Sequence, residues 1–183
     1  MKKFLTLRNC LVCVACLFGL LVLIFSFVTN VQSYASNGTL VATEFGSIWG
    51  ATKGRDEILG ITATIPEEAR VGALALPLIG TLLVFGGAVC AVVALFVAPK
   101  KKVLFVVAGA VMVVGAVFVA LTPLAYFNAS AAKYAESAKV TVEQAKEAMK
   151  AMGGSLKAPL SIVSAILGVL GGAGVCVSAF LKK

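Results

Sequence analysis

The chain has 183 residues, of which 60% are hydrophobic and only 13% charged; 16 Lys and Arg stand against 8 Asp and Glu, a net charge of +8, and His is absent. A soluble domain carries about 25% charged residues because its surface faces water, so a mean hydropathy of +1.02 excludes an ordinary aqueous surface and calls for lipid as solvent. The basic balance excludes a nucleic-acid partner as well, since no basic patch interleaved with aromatic residues exists and the cationic runs are only a few residues long.

The charges are segregated along the chain. None falls within 9–43, 71–99, 103–132 or 158–181, and each stretch exceeds the roughly 20 apolar residues that cross about 30 Å of hydrocarbon at about 1.5 Å per residue. Backbone in hydrocarbon must satisfy its own hydrogen bonds, so these stretches are helices. The expected fold is an all-α membrane protein, one integral domain over 1–183. Its four-helix transmembrane bundle has spans near 10–28, 74–97, 104–126 and 159–181, with outer segments near 29–70 and 127–157, the first holding a small extracytoplasmic β-hairpin.

The first span starts from Lys2, Lys3 and Arg8, and Ser33-Tyr34-Ala35 loosely matches a cleavage site. Its apolar run is nevertheless long for a signal peptide, so the span is expected to be retained. A lipoprotein signal at Val14-Ala15-Cys16 has Cys13 where Leu is expected. Orientation follows from the positive-inside rule. Lys2, Lys3, Arg8, Lys100, Lys101, Lys102, Lys182 and Lys183 crowd short segments on one side, whereas all eight acidic residues lie in the two longer segments opposite. The basic side is assigned to the cytoplasm. This places both termini there, in the plasma membrane, with anionic lipid head groups as partners worth about 1 kcal/mol per cation.

In the first outer segment, Leu40–Phe45 and Ile61–Ile65 alternate like strands and are expected to pair. Gly46, Gly50 and Lys53-Gly54-Arg55-Asp56 supply turn chemistry between them. Phe45, Ile48 and the lone Trp49 are candidate partner-binding residues; the alternative is that they pack the loop onto the helix tops. Pro66-Glu67-Glu68 has the chemistry of a helix start, with Pro at the first position and carboxylates in the first turn. The second helix is therefore expected from Pro66 to Ala98, kinked at Pro77. Pro99-Lys100-Lys101-Lys102 is short enough to make helices two and three antiparallel neighbours.

The second outer segment is expected to continue helix three past a bend at Pro123. Tyr134, Ala138, Val142, Ala145, Met149 and Met152 form one apolar stripe, flanked by i,i+3 pairs Glu136–Lys139, Glu143–Lys146 and Glu147–Lys150, and Gly153-Gly154 ends the helix. Tyr134, Met149 and Met152 are further partner-binding candidates, although the stripe packing on the first outer segment is the simpler expectation.

Helices in lipid associate by close approach through small residues, because lipid tails are as apolar as Leu. Helix two carries Gly86, Cys90, Ala94 and Ala98 four apart, helix four Ser164, Gly168, Gly172 and Cys176, and helix three Ala108, Ala116 and Ala120. These are the expected packing residues, with the bulkier helix one left more open to lipid and self-association as an alternative use of the helix-four stripe. The glycine-rich run 168–174 has no preceding strand and no Lys, so it is no phosphate cradle.

Five Cys are the only reactive cluster. Cys10, Cys13 and Cys16 share a broad face of helix one and could serve palmitoylation, a soft metal or a redox relay. The simpler expectation is small apolar filler, with no cofactor and no metal site. Four-span thiol-quinone oxidoreductases keep Cys pairs at the outer surface, and small multidrug exporters depend on a membrane Glu; this chain has neither. Its spans also lack the ionisable groups of coupled transporters and a nucleophile beside a base, so no catalytic residue and no small-molecule substrate are expected.

The layout of four spans, inner termini, a larger first outer segment with strands and a helical second one resembles the claudin-like tetraspan superfamily, and Ser47-Ile48-Trp49-Gly50 is similar to its outer-loop Trp motif. The resemblance implies an adhesive or pore-lining role, while the family's paired loop Cys are missing from this sequence. The function expected is that of a non-enzymatic membrane protein acting through protein–protein contact: an accessory subunit, assembly or adhesion-type factor meeting other membrane proteins or itself. Alternatives are a passive channel component, for which Thr81, Thr122, Ser161 and Ser164 are the polar supply, and a thiol- or metal-dependent protein.

Overall fold

A computed structural model of the protein describes residues 6–28, 30–34, 40–45, 48–49, 55–58, 61–64, 71–151 and 155–181. In chain order the elements are α1 (Leu7–Val28), β1 (Asn30–Tyr34), β2 (Leu40–Phe45), β3 (Arg55–Ile58), β4 (Ile61–Thr64), α2 (Ala75–Val97), α3 (Lys102–Ala120), α4 (Thr122–Ala138), α5 (Val142–Ala151), β5 (Ser155–Lys157) and α6 (Pro159–Ser178). Four of them, α1, α2, α3 and α6, are long and apolar enough to cross a bilayer. The protein is an integral membrane protein. Its contacts divide into two compact units, one of Met1–Phe25, Ile79–Ala120 and Ile162–Lys183, the other of Ser26–Leu78 and Leu121–Ser161.

The helical unit has a core of small residues around two large side chains, Phe105 and Met112, both fully buried. Ala15, Ala88, Ala91, Ala94, Ala108 and Ala116 complete it with Val12, Val22, Val84 and Val175. Small side chains let backbones approach. A Cβ built on Gly80 would lie 2.6 Å from the Gly115 carbonyl, and one on Gly115 the same distance from that of Gly80. Gly109 and Gly172 make the matching contact between α3 and α6, at 2.5 and 2.6 Å. Gly168 faces Ala116, and Gly19 of α1 faces Ala88 at 2.7 Å. Helix α1 is the most lipid-exposed, with 28% of its apolar window buried against 39% for each of the other three.

The second unit holds a sheet larger than the expected hairpin. Five strands run in the order β4-β3-β2-β1-β5, and every neighbouring pair is antiparallel. Leu40–Phe45 and Ile61–Thr64 are not partners. Arg55–Ile58 lies between them, pairing Thr43 with Glu57 on one side and Glu57 with Thr62 on the other. The fifth strand comes from the second connecting segment, pairing Ser33 with Leu156.

Two helix boundaries also differ from expectation. Helix α2 begins at Ala75, with 71–74 non-helical; Pro66-Glu67-Glu68 lies outside the described residues. Pro77 is then in the first turn, where its missing N–H costs nothing, so it has no helix interior to kink. Helix α3 ends at Ala120, and the bend expected at Pro123 is a one-residue break before the helix resumes. Pro123 cannot donate to the preceding turn, and the chain restarts as α4 with Pro in its first turn.

The 134–152 stripe is broken too. Lys139 adopts a left-handed conformation (φ 55°, ψ 39°) and its N–H and that of Val140 both return to the Ala135 carbonyl. Thr141 and Gln144 then form a capping box. The Thr141 N–H donates to Gln144 Oε1 at 3.1 Å and the Gln144 N–H to Thr141 Oγ1 at 3.3 Å. Helices α4 and α5 fold against each other over Ala131, Ala135, Ala145 and Met149. Glu136 pairs with Lys133 at 3.7 Å rather than with Lys139, which the turn carries away.

Candidate functional site

The residues around Trp49 are built from the end of α1 outward. Ser26 and Phe27 are in its last turn, and Trp49 meets both: its Nε1–H donates to Ser26 Oγ at 2.7 Å, and its ring stacks on Phe27 at 4.8 Å between centroids with 3° between planes. Ile48 is 1% exposed, and its carbonyl accepts from the Leu74 N–H at 3.0 Å just before α2. An indole suits this place because it couples a large apolar face to one donor that needs a partner when buried. Ile48 and Trp49 thus tie the first connecting segment to two helix ends. They are engaged inside the chain, in the way expected if this group packs the loop onto the helix ends.

Phe45 ends β2 opposite Asn30. Tyr134 is 40% exposed on α4, Met149 packs within the α4–α5 pair, and Met152 lies outside the described residues. Of the partner-binding candidates, Tyr134 is the one whose side chain is described as open to solvent.

The sheet has a second aromatic anchor that the sequence reading missed. Tyr34 on β1 donates its hydroxyl hydrogen to Gln32 Oε1 at 2.8 Å, and Lys157 of β5 lies 4.5 Å over its ring. That cation–π contact joins the two connecting segments and is worth about 0.5–1 kcal/mol at an exposed site. The alternation of Val31, buried, with Gln32 and Tyr34 was the available signal, hidden because β1 follows α1 after a single residue.

Among the packing residues expected from sequence, Ser164, Gly168 and Gly172 are buried on α6, with both glycines against α3. The Cys176 thiol donates to the Val106 carbonyl at 3.7 Å. Ala94 is buried, but Cys90 is exposed and Gly86 has nothing within 4 Å of a built Cβ. Helix α2 packs instead through Gly80, Val84, Gly87, Ala88 and Ala91. A stripe of every fourth residue drifts by about 40° per step around a helix of 3.6 residues per turn, and the one through Gly86 and Cys90 starts off the contact face and reaches it only at Ala94. Ala120, expected in the α3 stripe, is exposed.

Cys10 and Cys13 are exposed and Cys16 half-buried along α1. Among the described residues no three His, Cys, Asp or Glu side chains come together as metal ligands. Arg8 is 5% exposed, its guanidinium 4.4 Å above the Phe105 ring, with Nε and Nη2 lacking a hydrogen-bond partner. Lys102 is similarly placed, 5.6 Å over Phe180.

No family model matches the chain. No curated protein and no solved structure matches it either. The functional reading therefore stands on this chain's own geometry. Its most distinctive feature is an antiparallel sheet with β5 at one edge and β4 at the other, where β4 pairs with β3 alone among the described residues. A strand in that position presents unpaired backbone donors and acceptors along one side.

Proposed function

We propose that the protein is a non-enzymatic, four-span membrane protein that acts by protein–protein contact, and that the outer edge of β4 is where a partner or a second copy joins the sheet. The observation carrying this reading is the strand order, which leaves Ile61–Thr64 at an edge. Adding a strand to such an edge gains main-chain hydrogen bonds, with alternate side chains setting specificity. Placement in the plasma membrane with both termini in the cytoplasm belongs to the same proposal, on the strength of the clustered basic residues. The four spans, the strands of the first connecting segment and the Trp49 anchor support kinship with claudin-like tetraspan proteins. The segments 29–70 and 127–157 hold no Cys, so any such kinship lacks that family's loop pairing.

Photo-crosslinking tests this directly. A benzophenone residue at Thr62 or Thr64, in native membranes, is expected to give a discrete protein adduct that the same probe at exposed Lys133 does not. Absence of any adduct from both β4 positions, with the chain recovered as a bare monomer in mild detergent, would contradict it.

A further inference from the structure

A groove of about 530 Å³ runs between α2 and α3 within the helical unit. Its floor is Gly86, Cys90, Ala94 and Ala98, with Ala108 across from them. Its walls include Val93 and Val97, 51% and 79% exposed, and Val107, 53% exposed. Apart from the Cys90 thiol the lining has no polar side chain. From Leu82 to Ala98 it extends about 24 Å at about 1.5 Å per residue, longer than the roughly 15 Å depth of one leaflet.

The groove ends where the chain turns. The Lys101 N–H donates to the Ala98 carbonyl at 3.0 Å, setting the Pro99-Lys100-Lys101-Lys102 hairpin at the mouth. Lys102 is held over Phe180, while Lys100 and Lys101 are exposed. The helical unit contains no Asp or Glu, since all eight acidic residues fall in the other unit. Among the described residues neither Lys100 nor Lys101 is in an ion pair, so two cations stand at the end of a long apolar groove in a unit that has no Asp or Glu. A partner helix fits less well, because the exposed Val93, Val97 and Val107 side chains would meet it before the small residues of the floor.

We propose that this groove is a binding site for an anionic phospholipid, one acyl chain lying along Gly86, Cys90 and Ala94 and the phosphate held by Lys100 and Lys101. Basic pockets between spanning helices are suited to such head groups, and each cation near the surface adds to the attraction. The site is separate from the β4 edge, so either proposal can fail without the other.

Native mass spectrometry of the full chain from micelles doped equally with phosphatidylglycerol and phosphatidylcholine reads this out. The wild type is expected to retain one phosphatidylglycerol with at least roughly tenfold preference. The double variant Lys100→Gln, Lys101→Gln is expected to lose the preference while still carrying lipid. Gly86→Leu is expected to shed both lipids, and its added side chain enters open space, so melting should stay at the wild-type value. Independently, alkylation of Cys90 by an apolar maleimide, followed by peptide mapping, should slow severalfold with phosphatidylglycerol in the micelle. Equal retention of the two lipids by the wild type, an undiminished adduct on Gly86→Leu, or unprotected Cys90 would each overturn the proposal. So would conversion of an oligomer to monomer by Gly86→Leu, which would show another helix in the groove.

Discussion

In the helical unit neighbouring segments touch through what their residues lack. Gly80 meets Gly115 and Gly109 meets Gly172 with no side chain between backbones. In the sheet-bearing unit they touch through what their residues carry: an indole on Phe27 and Ser26, a lysine over Tyr34, a reciprocal Thr141–Gln144 cap. The contrast follows from solvent. Lipid gives no hydrophobic drive for helices to associate, so dispersion between closely apposed backbones must do it. Water drives apolar burial but competes for every hydrogen bond, so segments there are fixed by large side chains with one polar group satisfied and by caps.

The sharpest way to break this contrast is to put side chains where the helical unit has none. Gly109→Leu drives its Cβ into the Gly172 carbonyl and Cys176 Sγ, and backbone cannot yield as a side-chain tip can. A loss of about 3 kcal/mol or more is expected, read as the collapse of the detergent melting transition. Gly86→Leu, one helix away and facing open space, is the control and should melt like the wild type.

Next comes the indole. Trp49→Ala removes the Phe27 stack and leaves Ser26 without that donor, for a cost of about 2 kcal/mol. The effect should be confined to its own unit, appearing as faster amide exchange in β1 and β2 with α3 unchanged. Trp49→Phe keeps the stack and should recover about half.

These two regions were unequally legible in the sequence. The spans could be read directly because membrane crossing depends on a local property, a charge-free length, and Asn9–Thr43 or Ala158–Leu181 display it without reference to the rest of the chain. The sheet depends on pairings distant in sequence. Ser155-Leu156-Lys157 has no strand pattern of its own and becomes β5 only because β1 offers an edge. Arg55-Asp56 reads as part of a turn after Lys53-Gly54, yet Arg55–Ile58 supplies the strand between β2 and β4. The break between α4 and α5 was written in Thr141-x-x-Gln144, a capping signature outweighed by an apolar stripe that continued through it. In the bundle, reading stripes at a strict spacing of four selected Gly86 and Cys90, whereas the buried series Gly80, Val84, Gly87, Ala91, Ala94 follows the true helical period.

Smaller effects refine the comparison at that break. Thr141→Ala removes one member of the capping box and should cost about 1 kcal/mol, read as faster exchange in the first turn of α5. Lys139→Gly relieves a left-handed backbone that an L side chain resists, and should stabilise the α4–α5 pair by up to about 1 kcal/mol, read as slower exchange across Ala131–Ala145.

The account rests most heavily on α1, α2, α3 and α6 lying in hydrocarbon. Washing cell membranes at alkaline pH, which strips proteins held only at the surface, and following the full-length chain decides that. It should remain wholly with the bilayer and come free only in detergent. Recovery of folded, monodisperse protein in the aqueous wash would contradict it.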